Sequence, residues 1–368
     1  MLYRAMKKQV YPSSGPKPAG PYSPGVLCGD FLYVSGLAAR PAAGGDTPPD
    51  FASQVRNSLT NVKLIVEAGG FSMRDVVYSQ VHLADMSQFP ALAGLWKEFY
   101  PEGGPAFSVL GMARMPTDTP VQINAVVAKG AGRPHVDVRE AGGRLYFSGI
   151  GGKTPAEAMD NLAKRAKLAG IDLGHFAFLN AYCANGVTLG QLNEVYAPYF
   201  DAGNAPARAS MLVDSLPPGM SVELTGVAVR DLSMRRVVRP RNMAPSRTSS
   251  PGVWAGDMFY LSAKSGFIPG PNSGIYTGTV EQQLRQTMRN LLDGLEETGL
   301  DLSHVVATGV YLDDVNEFAK MNSVYASFFK DIPPTRSTLQ PMKPVERKFS
   351  AAGTHPMVEQ VSMVAWRG

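Results

Sequence analysis

The sequence predicts an α+β protein built from three ββαβαββ repeats in one chain. Three observations carry this. Three segments end a helical pattern at a glycine and run on into a strand: EAGGFSMRDVVYSQVHLAD, LAGIDLGHFAFLNAYCANG and ETGLDLSHVVATGVYLDD. They align Gly70, Gly170 and Gly299, which are 100 and 129 residues apart. Other landmarks keep step: an aromatic at Trp96, Tyr196 and Tyr325, a strand start at Phe107, Arg208 and Arg336, and a serine at Ser35, Ser148 and Ser262. Finally, strand-like and helix-like apolar periods follow one another in the same order in each unit.

Repeat one shows the order of elements. GVLCGDFLYVSG alternates about a Gly29-Asp30 turn, as a hairpin does. FASQVRNSLTNVKLIVEAG follows, with Val55, Leu59, Val62 and Val66 on one helical face and a glycine as its stop. A strand (VVYSQVHL), a second helix (FPALAGLWKEFY) and two more strands (FSVLGMARM, VQINAVVA) complete the unit. Helices then cover one face of a mixed sheet. The other face carries Ile123, Ala125 and Val127 and needs a partner, which three sheets around an axis supply. The repeats are expected over residues 1–131, 132–236 and 237–368.

Composition narrows the function. The 368 residues are 44% hydrophobic and 18% charged, enough for real cores. No apolar run reaches the roughly 18 residues that span a bilayer. The N-terminal stretch has no apolar signal region, so a cytoplasmic protein is expected. Two cysteines, Cys28 and Cys183, make neither a disulfide framework nor a cysteine-rich zinc site, and the histidines lack metal-ligand spacing. A net charge of +4 gives no nucleic-acid signature. The junction holding Arg235, Arg236, Arg239, Arg241 and Arg247 has no interleaved aromatics and reads as a solvated linker.

GPYSPG, then YVSG, then a helix ending in AGG, then PAR and a closing apolar strand resemble the RidA family, also called YjgF or L-PSP endoribonuclease. The resemblance runs over nearly the whole chain, three times. It implies a chorismate-mutase-like trimer fused into one covalent pseudo-trimer, with a central β barrel, helices outside and clefts between units. It also implies hydrolysis of reactive imines and enamines to 2-keto acids and ammonia, with no metal or cofactor. In such a site an arginine fork grips a carboxylate, a glutamate handles water and protons, and a tyrosine holds the reacting nitrogen.

Carried onto this chain, the resemblance assigns catalytic roles to Arg208, Glu223, Arg336 and Tyr22. It assigns substrate contacts to Ser35, Ser148, Ser210, Asn193, Asn322 and Thr338. Arg208 and Glu223 are 15 residues apart, and the expectation is that adjacent antiparallel strands bring them into one cleft. Phe107 and Gln122 keep that spacing in repeat one without either charge. In repeat three, strand alternation puts Gln360 in the glutamate position, whereas a bulge would put Glu359 there. Tyr22 lies 13 residues before Ser35, and the same offset gives His135 and Ser249. The tyrosine therefore survives only in the repeat that lost its arginine. Ala93 replaces the asparagine of repeats two and three.

The leading functional reading is a deaminase with its strongest site at Arg208 and Glu223. The alternative is a degenerate protein that binds small carboxylates without turnover, and an RNA-cleaving or RNA-binding protein ranks third. A small carboxylate is the expected partner, with no membrane and no nucleic acid. A monomer is expected, because the trimer is already fused.

Overall fold

The computed structural model describes residues 6–15, 17–131, 137–241, 243–270, 274–344 and 355–368. Repeat one runs β1 (Lys8–Val10), β2 (Gly25–Cys28), β3 (Phe31–Ala38), α1 (Phe51–Ala68), β4 (Val76–Leu83), α2 (Phe89–Phe99), β5 (Ala106–Gly111) and β6 (Val121–Ala128). Repeat two runs β7 (Val138–Ala141), β8 (Arg144–Gly152), α3 (Pro155–Leu168), β9 (Phe176–Cys183), α4 (Leu189–Tyr196), β10 (Ala207–Leu212) and β11 (Val222–Val229). Repeat three runs β12 (Arg235–Val238), β13 (Gly252–Ala255), β14 (Met258–Ser265), α5 (Val280–Glu296), β15 (Val305–Leu312), α6 (Phe318–Tyr325), β16 (Thr335–Leu339) and β17 (Glu359–Trp366). Each contains ββαβαββ, and repeats one and three add a leading strand.

The long helices start and stop where their sequences dictate. Asp50, Thr154 and Thr279 cap α1, α3 and α5 by accepting from Ser53 N, Glu157 N and Gln282 N. Gly70, Gly170 and Gly299 follow the helices with φ of +83°, +76° and +75°, a conformation that excludes a Cβ at little cost only in glycine. The apolar stripe of α1, Val55, Leu59, Val62 and Val66, is fully buried against its sheet. Each such side chain contributes roughly 1.5–3 kcal/mol of burial.

Three hydrogen-bonded sheets result, in the orders β1-β2-β3-β6-β4-β5, β7-β8-β11-β9-β10 and β12-β13-β14-β17-β15-β16. In each, the last helix returns the chain into a parallel pairing: β4 with β5, β9 with β10, β15 with β16. Each sheet and its helices enclose a core. A further core is shared by all three repeats and holds Tyr33, Tyr146 and Tyr260. The chain is thus a covalent pseudo-trimer. The expected central barrel consists of three separate sheets meeting through side chains, not one closed ladder, among the described residues.

The arginine-rich junction is partly structural. Arg235 donates to Phe176 O and to Asn204 at 2.7–2.8 Å, and Arg236 lies over the Trp254 ring. No helix among the described residues is long and apolar enough to cross a membrane.

Candidate functional site

The three repeats dock in a cycle, and one hydrogen bond repeats at each junction. Phe107 N donates to Ser148 Oγ at 3.1 Å, Arg208 N to Ser262 Oγ at 2.8 Å, and Arg336 N to Ser35 Oγ at 2.9 Å. The edge strand of each repeat therefore lies against the hairpin of the next. The latch serines are buried, and Ser35 and Ser262 donate onward to Ser23 O and Ser250 O. These hydroxyls are committed to holding the junctions.

This cycle redistributes the expected site residues. Arg208 and Glu223 do not meet. β10 and β11 are not neighbours; β9 lies between them, because the parallel return places the arginine strand at the sheet edge. Arg208 faces repeat three, whereas Glu223 faces repeat one, where Ser108 donates to its carboxylate. Tyr22 is likewise not stranded without an arginine. The Arg336 guanidinium stacks over its ring at 4.9 Å.

The junction of repeats three and one forms the best-equipped cleft. Arg336 is buried, and its guanidinium also lies 4.8 Å from the Tyr325 ring and 5.3 Å from Phe318. Burial pulls it below its ordinary pKa, while the Tyr325 and Tyr22 hydroxyls act the other way. Among the described residues its Nη2 has no hydrogen-bond partner, nor do Asn322 Oδ1, Thr338 Oγ1 and Gln122 Oε1, all of them buried. Arg336, Thr338, Gln122 and Tyr22 line a cavity of about 310 Å³. Two glycines make the room. A Cβ on Gly20 would stand 2.6 Å from Arg336 Nη2, and one on Gly36 would stand 2.2 Å from Gln122 Oε1. Buried polar atoms without partners are costly; a ligand carboxylate would accept from Arg336 Nη2 and Thr338 Oγ1, and a ligand N–H or a water would donate to the two amide oxygens.

At the junction of repeats two and three the arginine is engaged on one side, and Arg208 Nη1 is buried without a partner among the described residues. Arg208 Nη2 donates to Asn193 Oδ1 at 2.6 Å, and the guanidinium lies 4.6 Å from the Tyr196 ring. Ser249 stands at the Tyr22 offset and Ala263 at the Gly36 position. Gln360 holds the glutamate register: it pairs with Tyr311 as Glu223 pairs with Tyr182 and Gln122 with His82. Glu359 instead accepts from Thr287 on α5, and burial pushes its carboxyl up to about 8. Ser210 Oγ is buried without a partner and shares a cavity with Tyr311 and Glu359.

At the junction of repeats one and two the clamp position holds an aromatic. Phe107 packs 5.3 Å from the Trp96 ring. Glu223 is fully buried, accepts from Ser108 Oγ, and is pushed by burial up to about 7. His135 lies outside the described residues.

Gln122, Gly20 and Phe318 are site residues that sequence reasoning did not place beside an arginine. A signal existed in the helical aromatic: it is tyrosine under each arginine, at Tyr196 and Tyr325, and tryptophan against Phe107.

Comparison with known proteins agrees with this architecture. The profile of a family described as Endoribonuclease L-PSP matches residues 12–129, 131–230 and 241–344. A RutC family protein of Pyrococcus horikoshii is 34% identical over 125 residues, covering 34% of this chain and 99% of the relative. The 2-iminobutanoate/2-iminopropanoate deaminase of Escherichia coli is 34% identical over 127 residues, with the same coverage. The crystal structure of the E. coli YjgF product is 34% identical, covers 33% of this chain and 98% of its own, and superposes with a TM-score of 0.32.

Proposed function

This chain belongs to the Endoribonuclease L-PSP family, three repeats of it in tandem, and on that premise we propose that it hydrolyses reactive 2-imino and enamine acids to 2-keto acids and ammonia at the Arg336–Tyr22 cleft. The observation that carries the reading is the Arg336 guanidinium, buried in a cavity with Nη2 unpartnered and no ion pair to a carboxylate among the described residues.

The substrate carboxylate takes the free side of the Arg336 fork, an arrangement that fixes both position and plane. Tyr22 and Asn322 border the same guanidinium and reach the substrate nitrogen. Gln122 Oε1 accepts a hydrogen bond from water and aims its oxygen at C2. Water adds to the C=N bond, its protons pass to the nitrogen, and the carbinolamine collapses to the keto acid as ammonia leaves. The barrier is low for such short-lived species, so positioning supplies most of the effect.

The test couples enamine generation to keto-acid release and compares the wild type with Arg336→Ala. Acceleration over background that Arg336→Ala removes supports the reading. One observation favours a second: Gln122 cannot transfer protons as a carboxylate does. If the wild type binds 2-ketobutyrate at Arg336 but gives no acceleration, a non-catalytic carboxylate-binding protein replaces the deaminase. The same reading makes the chain monomeric, since the docking cycle is closed within it. Light scattering showing a stable trimer of chains would refute that.

A further inference from the structure

The shared core has a layer of rings in which one ring is missing. Tyr33, Tyr146 and Tyr260 occupy equivalent strand positions, two residues before the three latch serines. Each meets a residue of the preceding repeat in the cycle. Tyr78 stacks on Tyr146, with centroids 6.5 Å apart and planes at 29°. Phe178 stacks on Tyr260, at 5.8 Å and 27°. Tyr78 and Phe178 each fall eight residues after the helix-stopping glycine, Gly70 or Gly170. The same position after Gly299 is Ala307, so among the described residues no ring is stacked on Tyr33 as on Tyr146 and Tyr260.

The gap is one part of a partly open axial cavity. It measures about 140 Å³, and Tyr33, Tyr78, Tyr146, Phe178, Tyr260 and Ala307 are among its walls. Apolar cavities of about 150 Å³ admit benzene. Arg144 beside the tyrosines is paired with Asp257, and Arg336, the charged residue of the described wall, is stacked among Tyr22, Tyr325 and Phe318. The hydroxyls of Tyr33, Tyr146 and Tyr260 are buried without a hydrogen bond of normal geometry, and burial keeps all three neutral. Gln80, Asn124 and Ser337 add polar edges to the wall.

We infer that this axial cavity is a second binding site, taking a small, planar, uncharged ring of benzene or phenol size that lies on Tyr33 where a third aromatic side chain would be. Its walls are rings at stacking distance, so a flat guest gains dispersion and edge contacts that a branched aliphatic does not. A carboxylate gains little here, since the Arg336 guanidinium is held among Tyr22, Tyr325 and Phe318 with its Nη2 toward Gly20 and Asn322. The site lies across β16 from the Arg336 cleft: Thr338 lines that cleft, Thr335, Ser337 and Leu339 line the axial cavity, and Arg336 borders both. β16 is the wall between them.

The experiment uses the full chain with phenol and 4-bromophenol. A crystal soaked in 4-bromophenol should show anomalous bromine density between Tyr33 and Ala307. Phenol should raise the thermal midpoint progressively with concentration. Ala307→Phe should fill the gap, raise the midpoint without ligand, and abolish the phenol-dependent shift. Saturating 2-ketobutyrate should leave that shift in place, which separates this site from the carboxylate cleft. Bromine found only elsewhere, ordered water alone in the cavity, or a wild-type midpoint that phenol leaves unmoved would each overturn the inference. Should Ala307→Phe fail to fold, the wild-type soak decides by itself.

Discussion

The guanidinium carbon of Arg336 lies 4.9 Å from the centre of the Tyr22 ring, so the third repeat and the first build one site between them. Neither repeat holds the set alone. The cation, Asn322 and Thr338 come from one side, and Tyr22 and Gln122 from the other. The two remaining junctions each keep a part: Arg208 without the tyrosine, and Glu223 without the arginine.

Removing each arginine should therefore have unequal effects. Arg336→Ala should cut turnover and 2-ketobutyrate affinity by about tenfold or more, the loss of a charge-assisted contact worth roughly 1.5–3 kcal/mol. Arg336→Lys should also be impaired, because an ammonium keeps the charge without the fork. Arg208→Ala should change turnover far less, because Ser249 stands where its junction would need the tyrosine. Steady-state kinetics and calorimetric titration of the three variants decide this.

Gln122→Glu should raise turnover by about tenfold or more, within the range general acid–base groups supply. The two side chains have the same shape, and the space over Gly36 accepts either. The new group should also give kcat an acid limb that the wild type lacks. A rate unchanged across pH would show that proton transfer in this cleft does not limit turnover.

Gly20→Ala should abolish carboxylate binding while leaving the fold. The added Cβ would meet Arg336 Nη2 at 2.6 Å and Asn322 at 3.0 Å, which forces the guanidinium out of its aromatic frame. Calorimetry against 2-ketobutyrate measures the loss, and an unchanged circular dichroism spectrum shows that the sheets are intact.

Stability should fall as pH rises through neutrality. Folded Glu223 and Glu359 hold their protons up to about 7 and about 8, whereas the ordinary glutamate value is 4.5. The folded state then binds more protons than the unfolded state above pH 4.5, so its stabilisation is full below that value and is lost as pH climbs through the folded values. Thermal midpoints measured from pH 5 to about pH 9 should decline, and Glu223→Gln with Glu359→Gln should flatten the decline.

The repeats were legible because their signals are local. A glycine that stops a helix, a helical stripe such as Val55 to Val66, and a hairpin turn each act within a few residues. The membership of each cleft was not legible, because it depends on which repeat docks on which. Phe107 and Gln122 look like two losses from one site when read along the chain. In space they belong to different junctions, one facing Ser148 and the other Arg336. The same error joined Arg208 to Glu223, since the loop between them hides the intervening strand β9.

The bond from Arg336 N to Ser35 Oγ spans 301 residues, and that from Lys7 Nζ to Val305 O spans 298. Neither can form until the third repeat has emerged from the ribosome. Until then the emerging chain displays an unmated hairpin at one end, and on completion a complementary edge strand at the other. Two such ends can join within one molecule or between molecules, and a head-to-tail contact that fails to close upon itself extends into a filament. Tethering favours closure through a high effective concentration. The balance shifts when synthesis is fast and the cell is crowded with half-made chains. A chain shortened before β16 would keep the receptive hairpin and lose the strand that occupies it, leaving a template on which a neighbour's strand could settle.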